Sequence, residues 1–186
     1  MRTQTINIFK FNELNEIAKQ RAIENYRKTI TEFFWGDDYI ASMERGCEHF
    51  GVKLKDYSID WMDCSYSSYR IGFYDGEVEE LSGEKLAQHL RDNYLTYYCK
   101  YDKKQKGLLE GNCPFTGVCC DEDFINPVRK FLEKPDNTNF LKLIEHCLDS
   151  CIKAGQKDFE GMLSDDGILG KIEDNDVEFL ESGQMA

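Results

Sequence analysis

Residues 52–61, VKLKDYSIDW, and residues 69–73, YRIGF, decide the fold class, because apolar and polar side chains alternate along both stretches. A period of two is typical of strands that bury one face. The polar residues 63–65 lie between the stretches, so the pattern predicts an antiparallel hairpin. Its predicted inward positions are Val52, Leu54, Tyr57, Ile59, Trp61, Tyr69, Ile71 and Phe73.

Before the hairpin, apolar residues recur every three or four positions, which is typical of amphipathic helices. The sequence predicts a short strand over residues 3–9, a helix capped by Asn12 and ended by Gly36, and a second helix capped by Asp37 or Asp38. The inward face predicted for the first helix comprises Leu14, Ile17, Ala18, Ala22, Tyr26, Ile30 and Phe33. For the second helix it comprises Tyr39, Ile40, Met43, Cys47 and Phe50, with Gly51 at the left-handed position that follows.

After the hairpin, three helices and an edge strand are predicted. They begin at Ser82, at Asp121–Asp123, at Asp136 or Thr138, and at Val177. The third of these helices is expected to run past two glycines towards Ile172. The order β-α-α-β-β-α-α-α-β predicts an α+β fold, with a small, mostly antiparallel sheet packed by several helices.

The length of 186 residues predicts a single domain, with room for an acidic helical C-terminal lobe over about residues 121–186. The first residues lack the long apolar segment of a signal peptide, and no window of 18 apolar residues occurs. We therefore expect a protein of the host bacterial cytosol without a membrane partner, whose eight cysteines are thiols.

Negative charge is concentrated near the C-terminus. The chain carries a net charge of −12, and the stretch from Asp158 to Glu181 holds nine carboxylates against the single base Lys171. Carboxylates crowded in this way repel one another unless they are solvated or meet a positive partner. The acidity argues against direct binding of nucleic acid, whose phosphates require Lys and Arg, and favours a basic protein partner.

The acidic stretch has two interpretations. It is either an ordinary solvated face, the commonest origin of a charge run, or a surface that imitates the phosphates of a nucleic acid. Apolar residues interleaved with the acids between Phe159 and Ile172 indicate that the stretch folds. The candidate partner-binding residues are Asp158, Glu160, Asp165, Asp166, Glu173, Asp174, Asp176 and Glu178.

A second candidate site is the cysteine loop with Cys113, Cys119 and Cys120. Structural zinc requires four thiolate or imidazole ligands, and CPFTGVCC is not a paired C-x-x-C array. Inert thiols are therefore the favoured interpretation. The alternative is a zinc-stabilised domain or a thiol enzyme. The three histidines stand in no signature with a cysteine, and no phosphate-binding or hydrolase motif occurs. The sequence therefore predicts no catalytic residue, no metal and no cofactor.

Three stretches resemble a family of small proteins of phages, prophages and gut Firmicutes. They are INIFKFNELNEIAKQRAIENYR at residues 6–27, with its F-x-E-L and R-A-I-E-x-Y-R pattern; GNCPFTGVCCDEDFINPVRKFL at residues 111–132, with a C-P-x-T-G…D-x-D…P motif; and DNDVEFLESGQMA at residues 174–186. Such mobile-element proteins are often described only as uncharacterised or antitoxin-like, and some acidic proteins of this size and source are anti-CRISPR inhibitors of Cas9 (type II-A). The resemblance carries over no functional residue.

The leading hypothesis is a non-enzymatic inhibitor whose acidic surface binds a basic nucleic-acid-binding protein, with a Cas9-type nuclease or its guide-RNA complex as the named candidate. Cas9 is physically suitable because its heteroduplex channel and its PAM reader are rich in Arg and Lys. Trp35 and Trp61 are expected to be buried in the scaffold, while Tyr97, Tyr98 or Phe115 would be exposed anchors. The alternatives are an antitoxin-like or regulatory binding protein and the zinc-stabilised domain.

Overall fold

The computed structural model describes residues 6–30, 34–94 and 113–186. Six α-helices and two two-stranded antiparallel sheets lie in these ranges, which confirms the α+β class. The helices are α1 (Glu16–Ile30), α2 (Gly36–His49), α3 (Gly83–Asn93), α4 (Cys120–Glu133), α5 (Phe140–Leu163) and α6 (Asp165–Asp174). The strands are β1 (Phe9–Lys10), β2 (Val52–Ser58), β3 (Ser68–Phe73) and β4 (Glu178–Phe179), and β1 pairs with β4 and β2 with β3. None of the helices in the described ranges is both long and apolar enough to cross a membrane.

The chain contacts define two compact units. The terminal unit comprises the described residues up to Phe34 together with Lys157–Ala186, and the central unit comprises Trp35–Gln156. Helix α5 passes from the central unit into the terminal unit, so residues 121–156 of the predicted C-terminal lobe lie in one unit and residues 157–186 in the other.

Strand β1 is shorter than the predicted strand over residues 3–9, of which residues 3–5 lie outside the described part of the chain. Only Phe9 and Lys10 pair, opposite residues 178–179. Ile6 and Ile8, whose alternation suggested the strand, are 59% and 52% exposed and form no ladder. The strand ends because a 3-10 turn follows at once, in which Glu13 Oε2 accepts the Lys10 amide at 2.7 Å.

Helix α1 begins three residues later than predicted. Asn15, not Asn12, is the cap, because its Oδ1 accepts the Ala18 amide at 2.9 Å. Ala18 and Ala22 are buried as predicted, together with Leu14 and Ile30, and Phe33 lies outside the described residues. Ile17 was wrongly assigned to this face: it is 69% exposed, since it lies about 100° around the helix from Ala18.

The C-terminal tail packs on the two alanines of α1. Gly183 has a φ of +83°, and a Cβ placed there would lie 2.2 Å from the Ala18 carbonyl oxygen. The Gly183 carbonyl accepts the Asn25 side-chain amide at 3.3 Å. The tail also bridges back to β4 through Met185 and Phe179. Strand β4 is therefore flanked on both sides and is not the edge strand that the sequence suggested.

Phe50, directly after α2, is the centre of the aromatic core of the central unit. Its ring stacks on Phe124 of α4, with the centroids 6.3 Å apart and the planes at 17°, and meets Phe140 of α5 edge-on. Gly46 permits the close approach of α2 and α4, since a Cβ there would lie 2.6 Å from the Phe124 ring. Tyr39, Met43, Cys47 and Phe50 are buried as predicted, and Gly51 is left-handed with a φ of +69°.

Helix α2 begins at Gly36, which the sequence had suggested as the end of the preceding helix. Trp35 is its N-terminal boundary residue, and no side chain makes a capping hydrogen bond there. Asp37 and Asp38 therefore lie inside the first turn and do not cap it. Acids in that position still interact favourably with the helix dipole.

The predicted hairpin is confirmed, but β2 ends before Ile59 and Trp61, and the strand contains an irregular step that was not predicted. Val52 pairs with Phe73, Leu54 with Ile71 and Tyr57 with Tyr69. The register shifts between Leu54 and Asp56, at the place where the alternation of the sequence skips one residue. Only the Val52 end of the predicted inward face is fully buried, and Tyr57 is 40% exposed with its hydroxyl on Glu44 Oε1 at 3.1 Å.

The start and the end of α5 both differ from prediction. The cap is Asn139, whose Oδ1 accepts the Lys142 amide at 2.9 Å. Asp136 instead closes the turn before the helix, where it accepts the Thr138 amide at 2.8 Å. The helix ends at Leu163 and does not continue towards Ile172.

Candidate functional site

All eight predicted partner-binding carboxylates lie in the terminal unit and are exposed. We call this set the acidic face. Two of its residues lie near the end of α5, two in the first turn of α6, two in its last turn, and two at or next to β4: Asp158, Glu160, Asp165, Asp166, Glu173, Asp174, Asp176 and Glu178. The apolar residues interleaved with them point inward, because Phe159, Met162, Ile168 and Ile172 are buried.

A sharp corner at Ser164 creates two helices where the sequence suggested one. Ser164 Oγ accepts the Gly167 amide at 3.1 Å and donates to the Gly161 carbonyl at 2.7 Å. The serine thus ends α5 and caps α6 with a single side chain. A Cβ at Gly167 would lie 2.3 Å from the Gly161 carbonyl oxygen, so the corner requires a glycine there. Asp165 and Asp166 consequently occupy the N-terminal turn of a new helix.

Helix α6 ends in a Schellman motif in which an aspartate occupies the position usual for glycine. The Val177 amide donates to the Ile172 carbonyl at 3.0 Å, and the Asp176 amide donates to the Glu173 carbonyl at 3.1 Å. Asp176 has a φ of +50°, a conformation that aspartate tolerates better than most L-residues. This turn places the Asp176 carboxylate beside β1.

Two bases from the N-terminal segment neutralise part of the acidic face, which the sequence had shown opposed only by Lys171. Lys10 Nζ lies 2.9 Å from Asp176 Oδ2 and 3.1 Å from Glu178 Oε1, and these hydrogen bonds raise the pKa of Lys10. Arg27 pairs with Asp165 and also donates from Nε to the Leu163 carbonyl at 2.9 Å. The three paired carboxylates therefore help to hold the terminal unit together.

The uncompensated part of the acidic face is centred on α6. Asp166, Glu173 and Asp174 form no ion pair with any residue of the described ranges. Asp166 at the N-terminus of α6 interacts favourably with the helix dipole, whereas Glu173 and Asp174 lie at its negative end. The last turn of α6 thus places two exposed acids where they are least favourable for the helix itself.

The cysteine loop is built around a buried carboxylate. Asp121 is 0% exposed, and its Oδ2 accepts the amides of Phe115 at 2.8 Å, Thr116 at 2.7 Å and Gly117 at 3.3 Å. Its Oδ1 accepts the hydroxyls of Ser42 at 2.7 Å and Thr116 at 2.8 Å. Burial alone would raise the pKa of Asp121, but these hydrogen bonds lower it below the ordinary value. The aspartate in the C-P-x-T-G…D motif therefore fastens the loop to α4.

The thiols of this loop do not form a metal site with other described residues. Cys113 is half-buried, Cys119 is exposed and Cys120 is buried, and burial raises the pKa of Cys120 to about 12. Across residues 6–30, 34–94 and 113–186 no group of three or more His, Cys, Asp or Glu side chains could hold a metal ion. Cys147 and Cys151, four residues apart in α5, are buried, and burial raises the pKa of both.

The aromatic residues differ from prediction in two places. Trp35 is 43% exposed, not buried, because it lies just before α2 and therefore outside the inward face of that helix. Phe115 is half-buried, with its ring 5.6 Å from Phe124, while Tyr97 and Tyr98 lie outside the described residues. Two exposed residues between β2 and β3 were not predicted, Met62 and Tyr66, which are 73% and 74% exposed. Their signal in the sequence was a polar turn that contains large apolar residues.

No protein-family model matches this chain, and no curated protein or solved structure matches it either. The resemblance to mobile-element proteins therefore stays a prediction.

Proposed function

We propose that this chain is a non-enzymatic inhibitor that binds a basic nucleic-acid-binding protein through the acidic face. The observation that carries the proposal is the last turn of α6, where Glu173 and Asp174 are exposed at the negative end of the helix. Bases in that turn would stabilise the helix, and the single base there, Lys171, is outnumbered by the two acids. Local rules are commonly broken where a surface serves binding, and a cationic partner would reverse the cost.

The geometry also supports a stiff surface. Asp166 and Glu173 are seven residues apart on one helix, which corresponds to about 10 Å along its axis. The helix is fixed below by buried Ile168 and Ile172 and at its start by the Arg27–Asp165 pair. Carboxylates held on a fixed helix lose less conformational freedom on binding than carboxylates on a free tail would.

A Cas9-type nuclease or its guide-RNA complex is the partner we propose by name, acting in the bacterial cytosol. This choice rests on the resemblance to mobile-element proteins and on the Arg- and Lys-rich channels of such nucleases. An antitoxin-like protein that neutralises a basic toxin would use the same electrostatics with a different partner.

The test compares two triple variants that remove the same number of charges. Asp166→Asn/Glu173→Gln/Asp174→Asn neutralises the unpaired acids of α6, and the control Glu77→Gln/Glu80→Gln/Glu133→Gln neutralises three exposed acids of the central unit. Both leave the Arg27 and Lys10 pairs intact. Each protein is added to Cas9 cleavage reactions and to gel shifts of guide-loaded Cas9 on target DNA.

We expect the wild type and the control to block cleavage and DNA binding, and the α6 variant to lose at least about tenfold in potency, since three charged contacts are removed. Equal potency of both variants would show that net charge, not the acidic face, matters. If cleavage is blocked while the DNA stays bound, the chain is an inhibitor but does not act by imitating nucleic acid. No inhibition of several Cas9 orthologues by the wild type would reject this partner and favour the antitoxin-like one.

A further inference from the structure

A surface cleft of about 260 Å³ lies between the segment that follows β1 and the C-terminal end of α6. This volume is below the range of about 300–1,000 Å³ that is typical of small-molecule pockets, so the cleft suits a single side chain. Its lining combines an apolar wall with polar groups: Phe11, Ile172 and Val177, and Lys10, Asn12, Glu173 and Asp176. All seven residues belong to the terminal unit.

The charge of the cleft favours a cation. Its lining carries two carboxylates and one ammonium, and the carbonyl end of α6 adds partial negative charge. The ammonium of Lys10 is already engaged, with Asp176 Oδ2 at 2.9 Å, the Asp176 carbonyl at 3.2 Å and Glu178 Oε1 at 3.1 Å. Glu173 has no ion-pair partner within the described ranges. One negative charge at the mouth is therefore uncompensated.

The walls distinguish between the two basic side chains. Phe11 offers an aromatic ring, held by an edge contact with Phe179 at 6.3 Å between centroids. A planar guanidinium stacks on such a ring and binds a carboxylate with two parallel hydrogen bonds, whereas a lysine ammonium is a strongly hydrated point charge. Val177, which is half-buried, offers apolar surface to the methylene stem of a long side chain, while the buried Ile172 lies beneath it.

We infer that this cleft receives one arginine side chain of the basic partner, with its guanidinium on Glu173 and its stem along the apolar wall. The inference rests on the proposed function and specifies how the acidic face recognises its partner. Lys10 keeps the Asp176 corner closed, so that Glu173 is the carboxylate that the incoming arginine meets.

The probes are fluorescent octa-arginine and octa-lysine peptides, whose affinity for the full chain is measured by anisotropy at fixed ionic strength. Glu173→Gln removes the carboxylate of the cleft, and Asp166→Asn removes the same charge at the other end of α6. We expect Glu173→Gln to weaken octa-arginine binding by about fivefold and Asp166→Asn, whose residue belongs to the acidic face but not to the cleft, by only about twofold. Phe11→Leu, which keeps an apolar side chain, should reduce the preference for arginine over lysine, with thermal melts confirming that each variant is folded.

Two results would contradict arginine binding in the cleft: equal losses in Glu173→Gln and Asp166→Asn, or an unchanged arginine preference in folded Phe11→Leu. The acidic face would then act as a diffuse electrostatic surface. Wild-type protein that binds neither peptide would overturn both the cleft and the basic-partner proposal. Peptide binding through the cleft without inhibition of Cas9 would support the cleft and reject only the named partner.

Discussion

Helices α4 and α6 both begin with acidic residues, yet the two units of the molecule use these residues in opposite ways. In the central unit Asp121, the second residue of α4, is 0% exposed. In the terminal unit the side chain of Asp165, the first residue of α6, is 73% exposed. The local sequences, CDED and SDDG, give little indication of this difference.

The segment before each helix explains the contrast. Before α4 the chain turns back through Gly117, whose φ is +86°, and presents three amides and the Thr116 hydroxyl to one carboxylate, which also accepts the Ser42 hydroxyl from α2. Before α6 there is only the single residue Ser164, whose hydroxyl accepts the Gly167 amide, and both aspartates of the first turn are exposed. A carboxylate therefore serves the fold where hydrogen-bond donors converge on it. It stays available for binding where a neighbouring side chain already caps the helix.

The strongest test of this contrast replaces Asp121 of α4 and Asp166 of α6 by asparagine, one at a time. Asp121→Asn replaces one of the two accepting oxygens by a donating NH₂ group, which must oppose either the three amides or the hydroxyls of Ser42 and Thr116, and it removes the buried charge. We expect the free energy of unfolding to fall by about 3 kcal/mol, as is usual when a buried, hydrogen-bonded charge loses its complement. Urea denaturation followed by circular dichroism measures the change.

Asp166→Asn is the matched control, because it makes the same chemical change in the first turn of α6. Its side chain is exposed and unpaired within the described part of the chain, so we expect the free energy of unfolding to change by less than about 0.5 kcal/mol. Similar losses in the two variants would show that the interior of the central unit does not depend on the Asp121 carboxylate.

A second pair of variants tests how tightly the terminal unit is closed. Gly183→Ala would place a Cβ 2.2 Å from a backbone oxygen of α1, at a φ of +83°. We expect a loss of about 2–4 kcal/mol in the free energy of unfolding, because the contacted atom belongs to a helix backbone and cannot move away cheaply. Gly170→Ala, in α6 with no atom within 4 Å of the added Cβ, should instead raise it by about 0.5–1 kcal/mol. A neutral Gly183→Ala would show that the tail does not pack on α1.

The third prediction concerns acid pH and uses Asp121 again. Hydrogen bonds lower its folded-state pKa below the ordinary value of 3.8, so its contribution to stability is complete above that value. The contribution is lost as the pH falls from about 3.8 through the lower folded-state pKa. The difference in unfolding free energy between wild type and Asp121→Asn should therefore be constant from pH 7 to about pH 5 and shrink below pH 4. A difference that grows on acidification would reverse the assigned sign of the pKa shift.

These contrasts mark what the sequence could predict. The hairpin followed from a period of two, and even its bulge lies where the alternation skips a residue between Leu54 and Tyr57. The helices α2 and α4 followed from their apolar faces. Caps were less certain because several asparagines and aspartates lie close together, and which of them accepts an amide depends on where the helix starts. The caps are Asn15 and Asn139, which directly precede their helices, and not the predicted residues farther upstream.

The exposure of the eight candidate carboxylates was predictable, but their pairing was not. All eight carboxylates are exposed, as a solvated or binding surface requires. Their counter-ions could not be predicted, because Lys10 is 168 residues from Glu178 and Arg27 is 138 residues from Asp165. No local pattern joins such distant residues, and only the pairing of β1 with β4 and the position of α1 bring them together. The burial of Asp121 was equally hidden, since its donors come from a turn and from α2.

The smallest expected effect belongs to Asp176→Gly. This change removes the ion pair with Lys10 and at the same time relieves the left-handed backbone at that position. Glycine at a φ of +50° relieves a backbone penalty of roughly 1 kcal/mol, while the lost ion pair with Lys10 is exposed and therefore weak. We expect almost no change in the melting temperature at low salt and a slight rise at 1 M salt, where the ion pair contributes least in the wild type. A clear loss of stability at both salt concentrations would mean that Lys10 and Asp176 fasten β1 to the end of α6. The cleft beside Glu173 would then depend on that pair for its shape.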